Sequence, residues 1–200
     1  MSQFEYVAVF VSIVAGLGVV HLLLGFTRLL TAREPVRYRL TLLWTVGVFS
    51  YLVFFWWTTF RWSVIEEWRL WTLLWMLAFA IVLYLLCAVL YPPGDDTSDY
   101  TETFFRHRRT FFGLWILLMV FEFVDSMIKG RIGLVTGTGE LPQVGELALL
   151  YTVLSLGHLF AGRSASVRFH TFWAVAWIGW IVFLSALFAN LTPELVRPAG

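Results

Sequence analysis

Apolar residues fill this chain in six long runs, near 4–27, 40–60, 70–91, 110–128, 144–162 and 170–191, with short polar interruptions between them. A helix crossing a bilayer needs about 20 mainly apolar residues, and every run reaches that length without the strict alternation of a barrel strand. The pattern predicts an all-α membrane protein with six transmembrane helices. Residues 1–200 are read as a single six-helix transmembrane domain, with 92–109 as its longest connection.

Composition agrees with the pattern: 60% of the residues are hydrophobic and 14% charged, and the mean hydropathy is +0.79. The start, MSQFEYVAVF, carries no positive charge ahead of its apolar region. The first run therefore reads as a retained span, not a secretory signal. Cys87 is the single cysteine, so an internal disulfide is excluded.

Charge gives direction. If the spans alternate, the segments after spans one, three and five hold nine of the fourteen basic residues, among them Arg28, Arg39, Arg106, Arg108, Arg109, Arg163 and Arg168. Basic residues collect in short cytoplasmic loops. Both termini are therefore expected outside and those seven arginines against cytoplasmic headgroups, an N-out, C-out arrangement of three hairpins. The lipid bilayer is the expected partner, with homo-oligomerisation through glycine-rich faces and no nucleic acid. Arginine outnumbers lysine thirteen to one, the bias of a GC-rich genome, which leads to the expectation of a bacterial inner membrane.

Tryptophans crowd the turn between spans two and three: Trp56, Trp57, Trp62, Trp68, Trp71 and Trp75. An interfacial aromatic belt accounts for them. In the middle connection Pro92, Pro93 and Gly94 stop span three, and Thr97 or Ser98 is expected to cap a new helix carrying Asp99 and Glu102 in its first turn.

Two segments resemble one another. Ala15, Gly18, His21 and Gly25 align with Thr152, Ser155, His158 and Gly162 at identical spacing, and those offsets share one helical face. Each motif is followed by an arginine-bearing turn and an Arg-x4-Trp opening, Arg39 to Trp44 and Arg168 to Trp173. Spans one and two thus resemble spans five and six as a parallel internal repeat, with the small residues as a close-packing face.

An ionisable group inside a span is a functional hypothesis by default. His21 lies seven residues before Arg28 and His158 five before Arg163, at a similar depth beneath an arginine boundary, and Glu122 and Asp125 share a face of span four. Four readings follow: packing by interhelical hydrogen bonds; a pH-sensitive polar track through His21, His158, Glu122 and Asp125 in a small transporter or channel-like protein; haem b held between His21 and His158; and a bare transition metal, which two histidines leave under-coordinated. The track is preferred, with a haem-binding membrane subunit and a non-catalytic scaffold or assembly factor as alternatives. Gly137-Thr-Gly139 lacks the lysine and strand context of a phosphate loop, Asp95, Asp96 and Asp99 lack calcium-loop spacing, and Glu66-Glu67 has an adjacent arginine and no histidine on its side. No catalytic motif is present in the sequence, so no enzyme activity and no metal site is expected.

Overall fold

The computed structural model describes residues 3–31, 38–64, 68–92, 99–131 and 144–195. They form six α-helices: α1 (Gln3–Thr31), α2 (Arg39–Thr59), α3 (Leu70–Leu90), α4 (Tyr100–Arg131), α5 (Val144–Arg163) and α6 (Val167–Leu195), with a 3-10 turn, Phe60–Val64, continuing α2. All six are long and apolar enough to cross a membrane, which is compatible with a multi-pass membrane protein. No strand occurs among the described residues. Asp95, Asp96, Thr97, Ser98, Glu66, Glu67 and the 133–143 glycine-rich stretch lie outside them.

Local chemistry sets the ends. Glu5 and Glu146 sit in the first turns of α1 and α5, and Arg28 and Arg163 in their last turns, complementing the helix dipole at both ends. Tyr91 leaves α3 with φ −131° and ψ 75°, as its neighbour Pro92 disfavours helical geometry in the residue before it. The fourth helix begins ten residues ahead of its apolar run. Asp99 causes this: its Oδ1 accepts the backbone N–H groups of Thr101 at 2.9 Å and Glu102 at 3.0 Å, so Asp99 acts as the cap and not as a first-turn residue. The sequence 100–109 is then helical and continuous with span four. Ser166 opens α6 similarly, accepting the Phe169 N–H at 3.3 Å.

The most extensive interfaces are α1 with α3, α4 with α5, and α2 with α6; α2 also touches α1, α3 and α4 and is the central helix. Each expected hairpin has contact between its two helices, yet α5 and α6 meet only narrowly. The core is aromatic. Trp44, Tyr51, Phe111, Phe112 and Trp115 are fully buried; Trp44 meets Phe111 and Phe112 edge to face at 5.2 Å, a favoured geometry for aromatic pairs. Outward, Ile13, Leu17, Val20 and Leu24 of α1 are each more than half exposed, the apolar exterior that a lipid-facing helix requires. Trp56, Trp57 and Trp71 are exposed as a belt requires, but Trp62 is buried and belongs to the interior.

The two small-residue faces are used differently. Ala15, Gly18 and Gly25 are buried. A Cβ on Gly18 would lie 3.2 Å from Sγ of Cys87, and one on Gly25 would enter the Tyr91 ring, so α1 and α3 approach closely through them. On α5, Gly162 is buried against Phe112 and Arg109, whereas Ser155 is partly buried and Thr152 exposed. Gly157, outside the motif, makes the tighter contact: a Cβ on it would enter the Trp173 ring. Trp44 packs on α4 while Trp173 packs on His158, so the aligned tryptophans have different partners.

Candidate functional site

A cavity of about 220 Å³ lies among α2, α4, α5 and α6. Its walls are mostly apolar, including Phe54, Leu154 and Ile181, but Tyr51, Arg61, Glu122, Asp125, Lys129 and Tyr151 all line it. That volume is ample for several waters. It is below the range of roughly 300–1,000 Å³ typical of drug-sized ligand sites.

Three polar links organise the cavity. Buried Tyr51 on α2 donates its hydroxyl hydrogen to Oε1 of Glu122 on α4 at 2.7 Å. Asp125, one turn further along, has both oxygens engaged: Oδ1 accepts the Trp62 indole N–H at 3.1 Å, and Oδ2 pairs with Lys129 Nζ at 2.6 Å. Lys129 also donates to the Thr58 carbonyl at 3.4 Å and lies 5.6 Å from the Trp62 ring centre, within cation–π range. On the α5 side, the Ser126 and Tyr151 hydroxyls are 3.2 Å apart.

The two carboxylates are therefore unlike. Asp125 has a neighbouring cation four residues along its own helix, an arrangement that repays part of the cost of burying charge. Glu122 is bonded by a neutral hydroxyl, and no ion pair to it occurs among the described residues.

An aromatic layer closes the cavity toward the arginine-bearing end. Tyr51 meets Trp115 edge to face at 5.0 Å and lies tilted against Trp177 at 6.0 Å, and Trp115 and Trp177 pack on each other at 4.7 Å. His158 completes this layer. Its ring stacks parallel to Trp115 at 5.5 Å and on Phe112 at 5.8 Å, with Trp173 and Trp177 edge-on. Trp173 Nε1–H donates to His158 Nδ1 at 3.2 Å. An indole nitrogen only donates, so Nδ1 is an acceptor and the neutral ring carries its hydrogen on Nε2. Nε2 is buried with no hydrogen-bond partner among the described residues. His158 thus reaches Glu122 only indirectly, through Trp115 and Tyr51.

His21 lies elsewhere. On α1, packed against α3, its Nε2 donates to the Tyr91 carbonyl at 2.8 Å and its ring meets Tyr84 edge-on. That bond satisfies a carbonyl left over at the α3 terminus. Among the described residues α1 and α5 share no contact. The structure therefore gathers Glu122 and Asp125 at one cavity, sets His158 one aromatic layer away, and leaves His21 apart from all three. With His21 committed to a backbone carbonyl and His158 wrapped by four aromatic rings, the two imidazoles do not face one another across a slot for haem b. No group of three or more metal-ligating side chains occurs among the described residues.

Several contributors escaped the sequence pattern: Tyr51, Trp62, Ser126, Tyr151 and Lys129. The Asp125–Lys129 spacing was the one available signal, since oppositely charged residues four apart meet on a helix. His170 was also overlooked; it is fully buried beside Phe104, Phe105 and Phe112, and its Nε2 donates to the Ser164 carbonyl at 3.1 Å. Of the seven arginines assigned to headgroups, Arg28, Arg39, Arg106, Arg109, Arg163 and Arg168 are exposed, and Arg108 is partly buried over Phe105. No protein-family model, curated protein or solved structure matches this chain.

Proposed function

We propose that the chain is a small carrier or channel-like protein of a bacterial inner membrane, N-out and C-out, with Glu122 as the exchangeable carboxyl of an outer-half solute cavity. One observation carries this reading: Glu122 lines an intramembrane cavity with a tyrosine hydroxyl as its bonded partner, while adjacent Asp125 is matched by Lys129. A carboxyl buried within a span is costly, and such groups mark ion and substrate paths. The cavity size favours a solute of few heavy atoms or a hydrated ion, and its mixed lining favours one with both apolar and polar parts. Trp115, Trp177 and His158 form the barrier on the cytoplasmic side, so passage requires that layer to rearrange. His21 serves packing.

Proteoliposomes loaded with a pH-sensitive dye test the proposal. Under an imposed proton gradient, wild-type protein is expected to carry protons, alone or when small solutes are added, and Glu122→Gln to reduce that flux at least tenfold. Equal flux in wild type and Glu122→Gln overturns the role of Glu122, and absence of flux from correctly folded wild type across the solutes overturns the carrier reading.

A further inference from the structure

The outer surface between α4 and α5 carries two adjoining hollows. The first, about 440 Å³, is bounded by Arg109, Gly113 and Ile116 of α4 and by Leu159, Gly162 and Arg163 of α5, with buried His158 in its lining. The second, about 450 Å³, continues from Ile116 and Leu159 toward Phe123 and Tyr151. Sharing those two residues, they run end to end along the helix pair. The first has two guanidinium groups at its mouth and no carboxylate in its lining; the lining of the second is apolar apart from three hydroxyl-bearing residues, Tyr151, Thr152 and Ser155.

Small residues open this trough. Gly113 is exposed, and a Cβ built on it meets nothing within 4 Å. Arg163 bends back along its helix, donating from Nη1 to the Leu159 carbonyl at 3.3 Å, which holds its charge over a residue of the trough wall. From Arg109 to Val120 the rise is about 16 Å at ~1.5 Å per residue, close to the ~15 Å half-thickness of a bilayer's hydrocarbon core. A cationic mouth and an apolar floor one leaflet deep match the two parts of a single amphiphile.

We infer that the α4–α5 trough is a binding site for one anionic phospholipid, its phosphodiester held by Arg109 and Arg163 and an acyl chain lying over Ile116 and Leu159. Paired arginines suit phosphate because guanidinium groups present planar, directed donors. A zwitterionic lipid lacks the net charge that two basic groups attract. The inference is independent of any role for Glu122.

The test uses the full chain and native mass spectrometry, with phosphatidylglycerol and phosphatidylcholine of identical acyl chains as probes. Wild type is expected to retain one phosphatidylglycerol in preference to phosphatidylcholine. Retention falls about thirtyfold in Arg109→Gln/Arg163→Gln, the change expected for two basic contacts to an anionic headgroup. Gly113→Phe, which keeps both arginines and fills open space, is expected to lose the lipid as well, while Arg28→Gln/Arg39→Gln at the same boundary retains it. Equal retention of the two lipids overturns the inference, as does an equal loss in the Arg28/Arg39 pair. Full displacement of phosphatidylglycerol by inorganic phosphate also overturns it, because the site then binds an anion and not a lipid.

Discussion

The Tyr51 hydroxyl meets Glu122 Oε1 at 2.7 Å across the α2–α4 interface, tying the central helix to the carboxyl that lacks an ion-pair partner among the described residues. Interhelical hydrogen bonds in membrane proteins average about 0.6 kcal/mol and reach about 1.7 kcal/mol. Tyr51→Phe is therefore expected to destabilise by about 1 kcal/mol in detergent unfolding. A double-mutant cycle with Glu122→Gln should show coupling of at least about 0.5 kcal/mol; strict additivity counts against the bond.

Asp125 and Lys129 should behave as a unit. Removing one member of a buried pair leaves an uncompensated charge and costs about 3–5 kcal/mol. Both single variants are expected to lose substantial stability, since Asp125→Asn strands the Lys129 ammonium and Lys129→Met strands the Asp125 carboxylate. The combined variant should lie well short of the sum, and equilibrium unfolding of all three provides the comparison.

Glycines of α1 and α4 should respond oppositely to alanine. Gly25→Ala drives a methyl group into the Tyr91 ring; that ring's hydroxyl bonds Thr45 at 2.7 Å, and the same residue's carbonyl receives His21. Overpacking of this kind costs about 1–3 kcal/mol. Gly113→Ala meets open space and is expected to be neutral or to stabilise by up to about 1 kcal/mol through helix propensity. Thermal melts of the two variants distinguish a shape constraint from a general glycine effect.

The histidines should not be coupled. Fully buried His158 stacks in an aromatic box, whereas His21 bonds a carbonyl at the end of α3. His158→Ala is expected to be the more destabilising, and the double variant with His21→Ala should be additive within about 0.5 kcal/mol. A larger interaction energy would restore a direct link between them.

Cys87 is fully buried on α3 beneath Gly18. Wild-type protein should resist maleimide until unfolded. With Cys87→Ala as background, single cysteines in the 28–39 turn are expected to label only from the cytoplasmic side, and labelling from outside would reverse the N-out, C-out arrangement.

Hydropathy along the chain set the number of long apolar helices and where their lipid-compatible stretches lie, because a span must satisfy its own backbone and present apolar side chains wherever lipid touches it. The sequence also located the Gly18 and Gly25 face of α1 and marked Glu122 as a costly residue, both being local consequences of side-chain size and charge. It also expected a helix to begin just after Pro92-Pro93-Gly94, with Thr97 or Ser98 as the cap where Asp99 is the one observed, but an apolar run does not record that this helix continues unbroken into span four. Tertiary structure alone decided that α1 lies on α3, that Trp62 turns inward to Asp125, and that Tyr51 serves Glu122. In helices apolar on nearly every side, hydropathy barely separates the lipid face from the protein face. The same limit let His21 and His158 look alike in sequence, although one completes a helix end and the other fills an aromatic layer.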